Sequence, residues 1–110
     1  MLIFACFTDG LFAKSEEEAD FLEKLSAACG GAQVSRTDGC TDNAQTIIIT
    51  VFDAPPEDER FPVSGARGVL GKIAHAAHDL LGEKVTKLTV SDASGHHPKY
   101  MIRFGKAEAA

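Results

Sequence analysis

The sequence contains no tryptophan, a single tyrosine and only three cysteines among its 110 residues. The cysteines, Cys6, Cys29 and Cys40, are odd in number and show no CxxC spacing. Such a set is more typical of reduced thiols than of the disulfide framework of a small secreted domain. The scarcity of cysteine therefore favours a cytoplasmic protein.

Long apolar runs are also missing. The longest are residues 2–7 and 47–52, the second interrupted by Thr50, whereas a membrane-spanning helix needs about 18 apolar residues. The first run is not preceded by the basic residues of a secretory signal peptide and soon meets Thr8 and Asp9. We therefore expect no membrane partner.

Positive charge is in short supply. Lys and Arg number 11 against 16 Asp and Glu, a formal net charge of -5, which makes direct nucleic-acid binding an unlikely main activity. The content of 45% hydrophobic and 25% charged residues is typical of a globular protein. The length predicts a single domain, which we place at residues 1–105, followed by a flexible tail at 106–110.

The first half of the chain predicts strand, helix, strand and strand. Residues 2–7 and 46–52 are short runs rich in aliphatic and aromatic side chains, typical of strands that are apolar on both faces. Ser15 and Glu18 have the spacing of a capping box at the start of a helix. Weak alternation at residues 32–36 is typical of an edge strand.

The second half predicts helix, strand and strand. Residues 53–62 hold three of the four prolines and exclude a regular element. Ser64 is predicted to cap a helix with an apolar stripe that ends at Gly82. Alternation at 85–91 and again at 100–104 predicts a hairpin of two strands.

The order β-α-β-β-α-β-β predicts an α+β fold. Its first six elements match the split βαβ of a ferredoxin-like βαββαβ sandwich, with an additional C-terminal strand. That fold has both helices on one face of a mainly antiparallel sheet with strand order 4-1-3-2, so the first and third strands would be central.

The opposite face of such a sheet has no helix to cover it. Depending on register, it would receive Leu2, Phe4 and Cys6 or Ile3, Ala5 and Phe7, together with a matching set from residues 47–52. This apolar patch would exceed the few hundred Å² that monomers usually expose. We expect a second copy to cover it in a homodimer or homotrimer. The alternative is that the fifth strand or the proline-rich loop folds beneath it.

Two groups of residues are candidates for binding a partner. Glu16, Glu17 and Glu23 lie on the polar side of the first helix, where they form either a solvated face or a docking surface for a basic protein. Gly68 and Gly71, with His75, form a small-residue groove on the second helix. Glycine within a helix costs about 1 kcal/mol relative to alanine, so close approach by a partner is one explanation and simple tolerance is the other.

Histidines supply the remaining candidates. His75, His78 and Asp79 have i, i+3, i+4 spacing that could share a metal, but the solvated side of a helix explains them better, and we predict no metal and no cofactor. A small ligand between the sheet and its cover could contact a weaker set near the C-terminus. These residues are His96, His97, Tyr100 and Arg103.

The order of elements resembles two groups of proteins, the ferredoxin-like dimeric α+β barrels and the small tautomerases, in which a β-α-β arrangement occurs twice. The resemblance covers most of the chain and implies an enzyme or a small-molecule-binding protein, although no catalytic set maps onto named positions. Tautomerases use an N-terminal proline, whereas Leu2 follows Met1 in this sequence.

Our main prediction is a small non-catalytic binding or regulatory protein that acts through protein-protein contacts as a homo-oligomer. One alternative is the enzyme or ligand-binding protein that the resemblance implies. The other is an acidic, phage-type inhibitor of a nucleic-acid-handling complex, in which the acidic helix face would occupy a basic groove.

Overall fold

Strands and helices follow one another along the chain in the predicted order. The computed structural model describes residues 2–8, 11–12, 14–37, 46–82 and 85–103. Its elements are β1 (Ile3–Phe7), α1 (Ser15–Ala28), β2 (Gln33–Thr37), β3 (Thr46–Val51), α2 (Val69–Leu81), β4 (Lys87–Asp92) and β5 (Tyr100–Arg103). The predicted tail at 106–110 and Cys40 lie outside the described residues. Within the described ranges, no helix is long and apolar enough to cross a bilayer.

The fold is α+β, with one mixed sheet in the order β2-β1-β3-β4-β5. β1 pairs with β2 and β3 pairs with β4 in parallel, whereas the β1–β3 and β4–β5 pairs are antiparallel. The predicted ferredoxin-like order 4-1-3-2 is therefore wrong, because β2 and β4 lie on exchanged sides of the central pair. The prediction of a mainly antiparallel sheet is wrong for the same reason. Each strand-helix-strand unit keeps its two strands adjacent and therefore parallel, so the sheet has two parallel and two antiparallel pairs.

This difference has a physical reason. Both arrangements have the same order of elements along the chain and place β1 next to β3 in antiparallel orientation. They differ only in the side of the starting strand to which each helix returns the chain. Hydrophobic periodicity reports which face of a strand is buried, and it carries no signal about that lateral choice.

The two strand-helix-strand units are related by an approximate two-fold rotation. The axis passes between β1 and β3 and is perpendicular to the sheet, because those strands are antiparallel. Such a rotation leaves α1 and α2 on the same face of the sheet. The helices contact each other, α1 packs beside β2, and α2 packs beside β4 and β5. Helices on one face were predicted, and β1 and β3 are interior strands as expected.

The core lies between the sheet and the helices. Every second residue of β1, β3 and β4 faces the helices, and these residues are fully or almost fully buried. Phe21 and Leu25 of α1 and Leu70 and Ile73 of α2 complete the core on the helix side. The strand members of this core are Phe4, Cys6, Ile47, Ile49, Val51, Leu88 and Val90.

Neither helix starts with the predicted side-chain cap. α1 begins at Ser15, but its N-cap residue is Lys14 and no side chain caps the helix. The Glu18 carboxylate instead accepts a hydrogen bond from the Thr8 hydroxyl and pairs with Arg36 Nε at 2.9 Å. The capping-box prediction is wrong because Glu18 bridges the ends of β1 and β2 rather than the start of its own helix.

α2 begins at Val69, five residues after Ser64, which does not cap it. Its first amides donate to backbone carbonyls of the preceding loop, Val69 N to Pro62 O at 3.0 Å and Leu70 N to Val63 O at 3.1 Å. The loop therefore performs the capping role that was predicted for a side chain.

Close packing of that loop explains Gly71 of α2 and Gly68, which is the N-cap residue before the helix and not, as predicted, a residue within it. A Cβ atom on Gly71 would lie 2.4 Å from Gly65 O and 2.6 Å from Ala66 O, and one on Gly68 would lie 2.4 Å from the carbonyl of Val63. Both glycines are buried. The close approach is made by the chain's own backbone, and binding of a partner at Gly68, Gly71 and His75 stays a prediction.

Candidate functional site

The face of the sheet opposite the helices is the largest candidate site, and we call it the open face. No helix or strand among the described residues packs against it. Alternation along each strand and the cross-strand register assign its side chains. They are Ile3, Ala5, Phe7, Gln33, Ser35, Thr46, Ile48, Thr50, Lys87, Thr89, Ser91, Met101 and Arg103.

The open face is less apolar than predicted. β1 contributes Ile3, Ala5 and Phe7, one of the two sets expected from the sequence. β3, however, turns its aliphatic residues of the other parity to the helices and places threonines on both sides of Ile48. The expected continuous apolar patch is therefore a mixture of aliphatic, aromatic and hydroxyl side chains.

The charges of the open face lie at one corner. Lys87 of β4 and Arg103 of β5 are direct cross-strand partners, and Thr46 of β3 is the partner of Lys87 on its other side. Neither cation forms an ion pair within the described part of the chain, and none of the strand residues assigned to this face is acidic. The corner thus has the opposite sign to the net charge of the chain.

Two buried hydroxyls adjoin these cations. Thr46 and Thr89 expose only 9% and 8% of their surface, and the hydroxyl of neither makes a hydrogen bond with a described residue. Most buried polar groups in folded proteins are hydrogen-bonded, so two unpaired hydroxyls on one face need an explanation. We call Thr46, Lys87, Thr89 and Arg103 the cationic corner.

A second polar group lies at the β4–β5 turn. The carboxylate of Asp92, the last residue of β4, is almost fully buried. It accepts hydrogen bonds from His97 Nδ1 at 2.7 Å, from Ser94 Oγ at 2.8 Å and from Ser94 N at 3.0 Å. The hydrogen bond from His97 is the main reason that the pKa of Asp92 is well below its ordinary value, and those from Ser94 add to it. Because a carboxylate only accepts, Nδ1 of His97 carries a proton.

The arrangement of these residues decides what chemistry they can perform. Ser94 Oγ donates to Asp92 and not to His97, so the order Ser-His-Asp that activates a serine nucleophile is absent here. Ser94 and His97 both bind the same carboxylate and thereby tie the turn to the end of β4. His96, exposed in the turn, donates its amide to Ser94 Oγ at 3.3 Å.

The predicted ligand set is divided between two surfaces. Tyr100 faces the helices, where its hydroxyl lies 3.1 Å from Nε2 of His75 and the two rings are 5.6 Å apart. Arg103, three residues later, is on the open face. The structure thus joins one residue of the predicted partner set to one of the predicted ligand set, and separates Tyr100 from Arg103.

The other predicted residues are exposed. Glu16, Glu17 and Glu23 lie on the solvent side of α1, and their role in binding a basic partner stays a prediction. Among the described residues, no three His, Cys, Asp or Glu side chains are arranged to hold a metal ion.

The two described thiols, Cys6 and Cys29, are buried and half-buried. Burial raises the pKa of Cys6 to about 12, with smaller contributions from Cys29 and Glu18. Burial also raises the pKa of Cys29. Because the thiolate is the nucleophilic form, neither residue is a candidate catalytic nucleophile.

The sequence contained a signal for only part of these sites. Asp92 is followed by Ser94 and Gly95, a pattern typical of a turn in which a carboxylate binds nearby amides. The unpaired hydroxyls of Thr46 and Thr89 depend on the strand register and have no local signal.

Comparisons with protein-family models, with curated proteins and with solved structures found no match to this chain.

Proposed function

We propose that this protein is a non-catalytic binding protein that acts as a homo-oligomer, with the open face as the interface between copies. The observation that carries the proposal is the position of both helices on one side of a five-stranded sheet, which leaves the other side without cover from a described element. That side carries partly exposed Ile3, Phe7, Ile48 and Met101. The raised pKa values of Cys6 and Cys29 and the geometry of Ser94 support a non-catalytic role.

The distribution of charge makes the open face compatible with a second copy of itself. Its centre, on β1 and β3, is uncharged, and its cations lie towards β5. A two-fold axis that runs along the central strands places β5 of one copy opposite β2 of the other. The open-face residues Gln33 and Ser35 of β2 are neutral, so this packing brings no like charges together.

The size of the face predicts how strong the assembly is. Strands about 4.8 Å apart with about 3.3 Å per residue give a five-stranded face of roughly 400 Å² in projection, or about 800 Å² for two copies. Stable interfaces bury about 1,200–2,000 Å² of accessible surface. Accessible surface follows the contours of the side chains and is therefore larger than the projected area of the same face. We therefore expect association that depends on protein concentration rather than an obligate dimer.

Free thiols at Cys6 and Cys29 support a cytoplasmic location for this assembly.

The experiment is sedimentation equilibrium over a wide range of protein concentration. Wild type is expected to pass from monomer to dimer, and Ile48→Glu, which places a charge at the centre of the face, to remain monomeric. Ile3→Glu at the more exposed margin should weaken association with less risk to folding. Ala19→Glu adds the same charge on the exposed side of α1 and is the matched control.

Circular dichroism and thermal melts establish that each variant is folded. A wild type that stays monomeric at every concentration contradicts the proposal. So does a folded Ile3→Glu variant that associates as strongly as the control.

A further inference from the structure

We propose that the cationic corner of the open face is a binding site for a phosphate group. The site consists of the side chains of Thr46, Lys87, Thr89 and Arg103, which neighbouring strands place side by side. It belongs to a single copy of the chain and goes beyond the proposed oligomer, because it names a ligand and not a protein partner.

The first step of the argument is the pairing of like charges. Lys87 and Arg103 are directly opposite each other in the antiparallel β4–β5 pair. Directly opposed residues have Cβ atoms about 4.5–5.5 Å apart, and like charges at that separation destabilise a sheet. No described acid balances them, although the chain has 16 acidic residues to draw on. An anion bound between the two cations removes this repulsion.

The second step is independent of charge. The hydroxyls of Thr46 and Thr89 are buried without a hydrogen-bond partner among the described residues. Thr46 lies beside Lys87 in the β3–β4 register, and Thr89 lies two residues along β4 on the same face. An oxyanion that the two cations hold against this face of the sheet would provide the acceptor that the hydroxyls lack.

The combination of donors favours phosphate over a carboxylate. The guanidinium of Arg103 offers parallel N–H donors that match two oxygens of one group, and the Lys87 ammonium adds a point charge. The two hydroxyls can donate to further oxygens of the ligand. A carboxylate has only two oxygens, so it offers fewer acceptors than this set of donors can use, whereas a phosphate group offers more. Two positive charges also balance a phosphate dianion.

The experiment is isothermal titration calorimetry of the full chain with inorganic phosphate and with glycerol phosphate. Lys87→Gln and Arg103→Gln are each expected to weaken binding by at least tenfold, and Lys87→Arg, which keeps the charge, by much less. Lys72→Gln on the exposed side of α2 removes the same charge elsewhere and should bind as wild type does. Equal binding of both ligands indicates that the phosphate group alone is recognised, and preference for the ester indicates that a phosphorylated small molecule is the ligand.

Removal of a hydroxyl tests the site without changing its charge. Thr89→Val removes the hydroxyl while keeping the shape, and should weaken phosphate binding several-fold with a thermal midpoint unchanged or raised in the absence of ligand. Absence of binding up to millimolar phosphate overturns the inference, as does equal loss in the Lys72→Gln control. Loss of dimerisation in the earlier experiment leaves it standing, because phosphate binding is measured on the monomer at low protein concentration.

Discussion

Replacement of Gly71 by alanine tests the packing of the loop against α2. Alanine in a helix interior is usually more stable than glycine by about 1 kcal/mol. At this position, however, the added Cβ would lie 2.4 Å from Gly65 O and 2.6 Å from Ala66 O. Both are backbone atoms, so relief requires the whole segment to move away from the helix by about 1 Å, since ordinary C···O contacts are longer than 3 Å.

Movement of that segment also affects the start of the helix. Pro62 O and Val63 O accept the hydrogen bonds of the first amides of α2, at 3.0 and 3.1 Å. Overpacking costs about 1–3 kcal/mol and each weakened hydrogen bond about 1 kcal/mol. After subtraction of the gain in helix propensity, we expect Gly71→Ala to lower the free energy of unfolding by about 2–4 kcal/mol.

The assay is urea denaturation followed by circular dichroism, together with a thermal melt. For a chain of this length, the expected loss corresponds to a fall of about 10–20 °C in the thermal midpoint. Lys72→Ala at the next, exposed position is the control and should stay within about 0.5 kcal/mol of wild type. A Gly71→Ala variant as stable as wild type, or more so, would refute the close approach of loop and helix.

Two further changes test the polar contacts. The lowered pKa of Asp92 means that its carboxylate stabilises the folded state above the ordinary value near 3.8 and loses this effect as pH falls towards the lower folded value. The difference in thermal midpoint between wild type and Asp92→Asn should therefore be largest at neutral pH and shrink in acid, and a constant difference contradicts the assignment. Glu18→Ala should cost about 1–3 kcal/mol by urea denaturation, because it leaves the buried Thr8 hydroxyl without its acceptor. Arg36→Ala breaks the partly exposed ion pair with Glu18 but leaves the Thr8 hydrogen bond in place, and loss of that ion pair should cost less than about 1 kcal/mol. Equal losses in the two variants would show that the Thr8 contact contributes nothing.

Sequence patterns predicted the elements of this fold well and their arrangement only in part. The apolar runs in β1 and β3 identified two interior strands, because a strand that is buried or half-buried on both faces carries aliphatic residues at both parities. A helix was predicted near Ser15, where α1 begins, although the capping box behind that prediction is wrong. The side on which each helix returns is set by packing of whole elements, and no residue pattern reports it.

The start of α2 shows a second limit of local patterns. Ser64 has the chemistry of a helix cap, yet the backbone carbonyls of Pro62 and Val63 satisfy the first amides. A side-chain cap is visible in a sequence, but a backbone cap exists only once the loop has folded against the helix. The glycines at 68 and 71 were the visible sign of that contact, and the sequence alone left open whether a partner or the chain itself made it.

The open face shows why the cationic corner escaped the sequence pattern. In isolation, Thr46 and Thr89 are ordinary strand residues, and Lys87 and Arg103 are ordinary exposed cations. They become a site only through the register of three strands, which aligns Lys87 with Arg103 on one side and with Thr46 on the other. A shift of one strand by one residue would move its side chains to the opposite face of the sheet, away from the other members of the site. The site therefore depends on the β3–β4–β5 alignment more than on any motif, so a change that shifted β5 should abolish phosphate binding even with all four side chains intact.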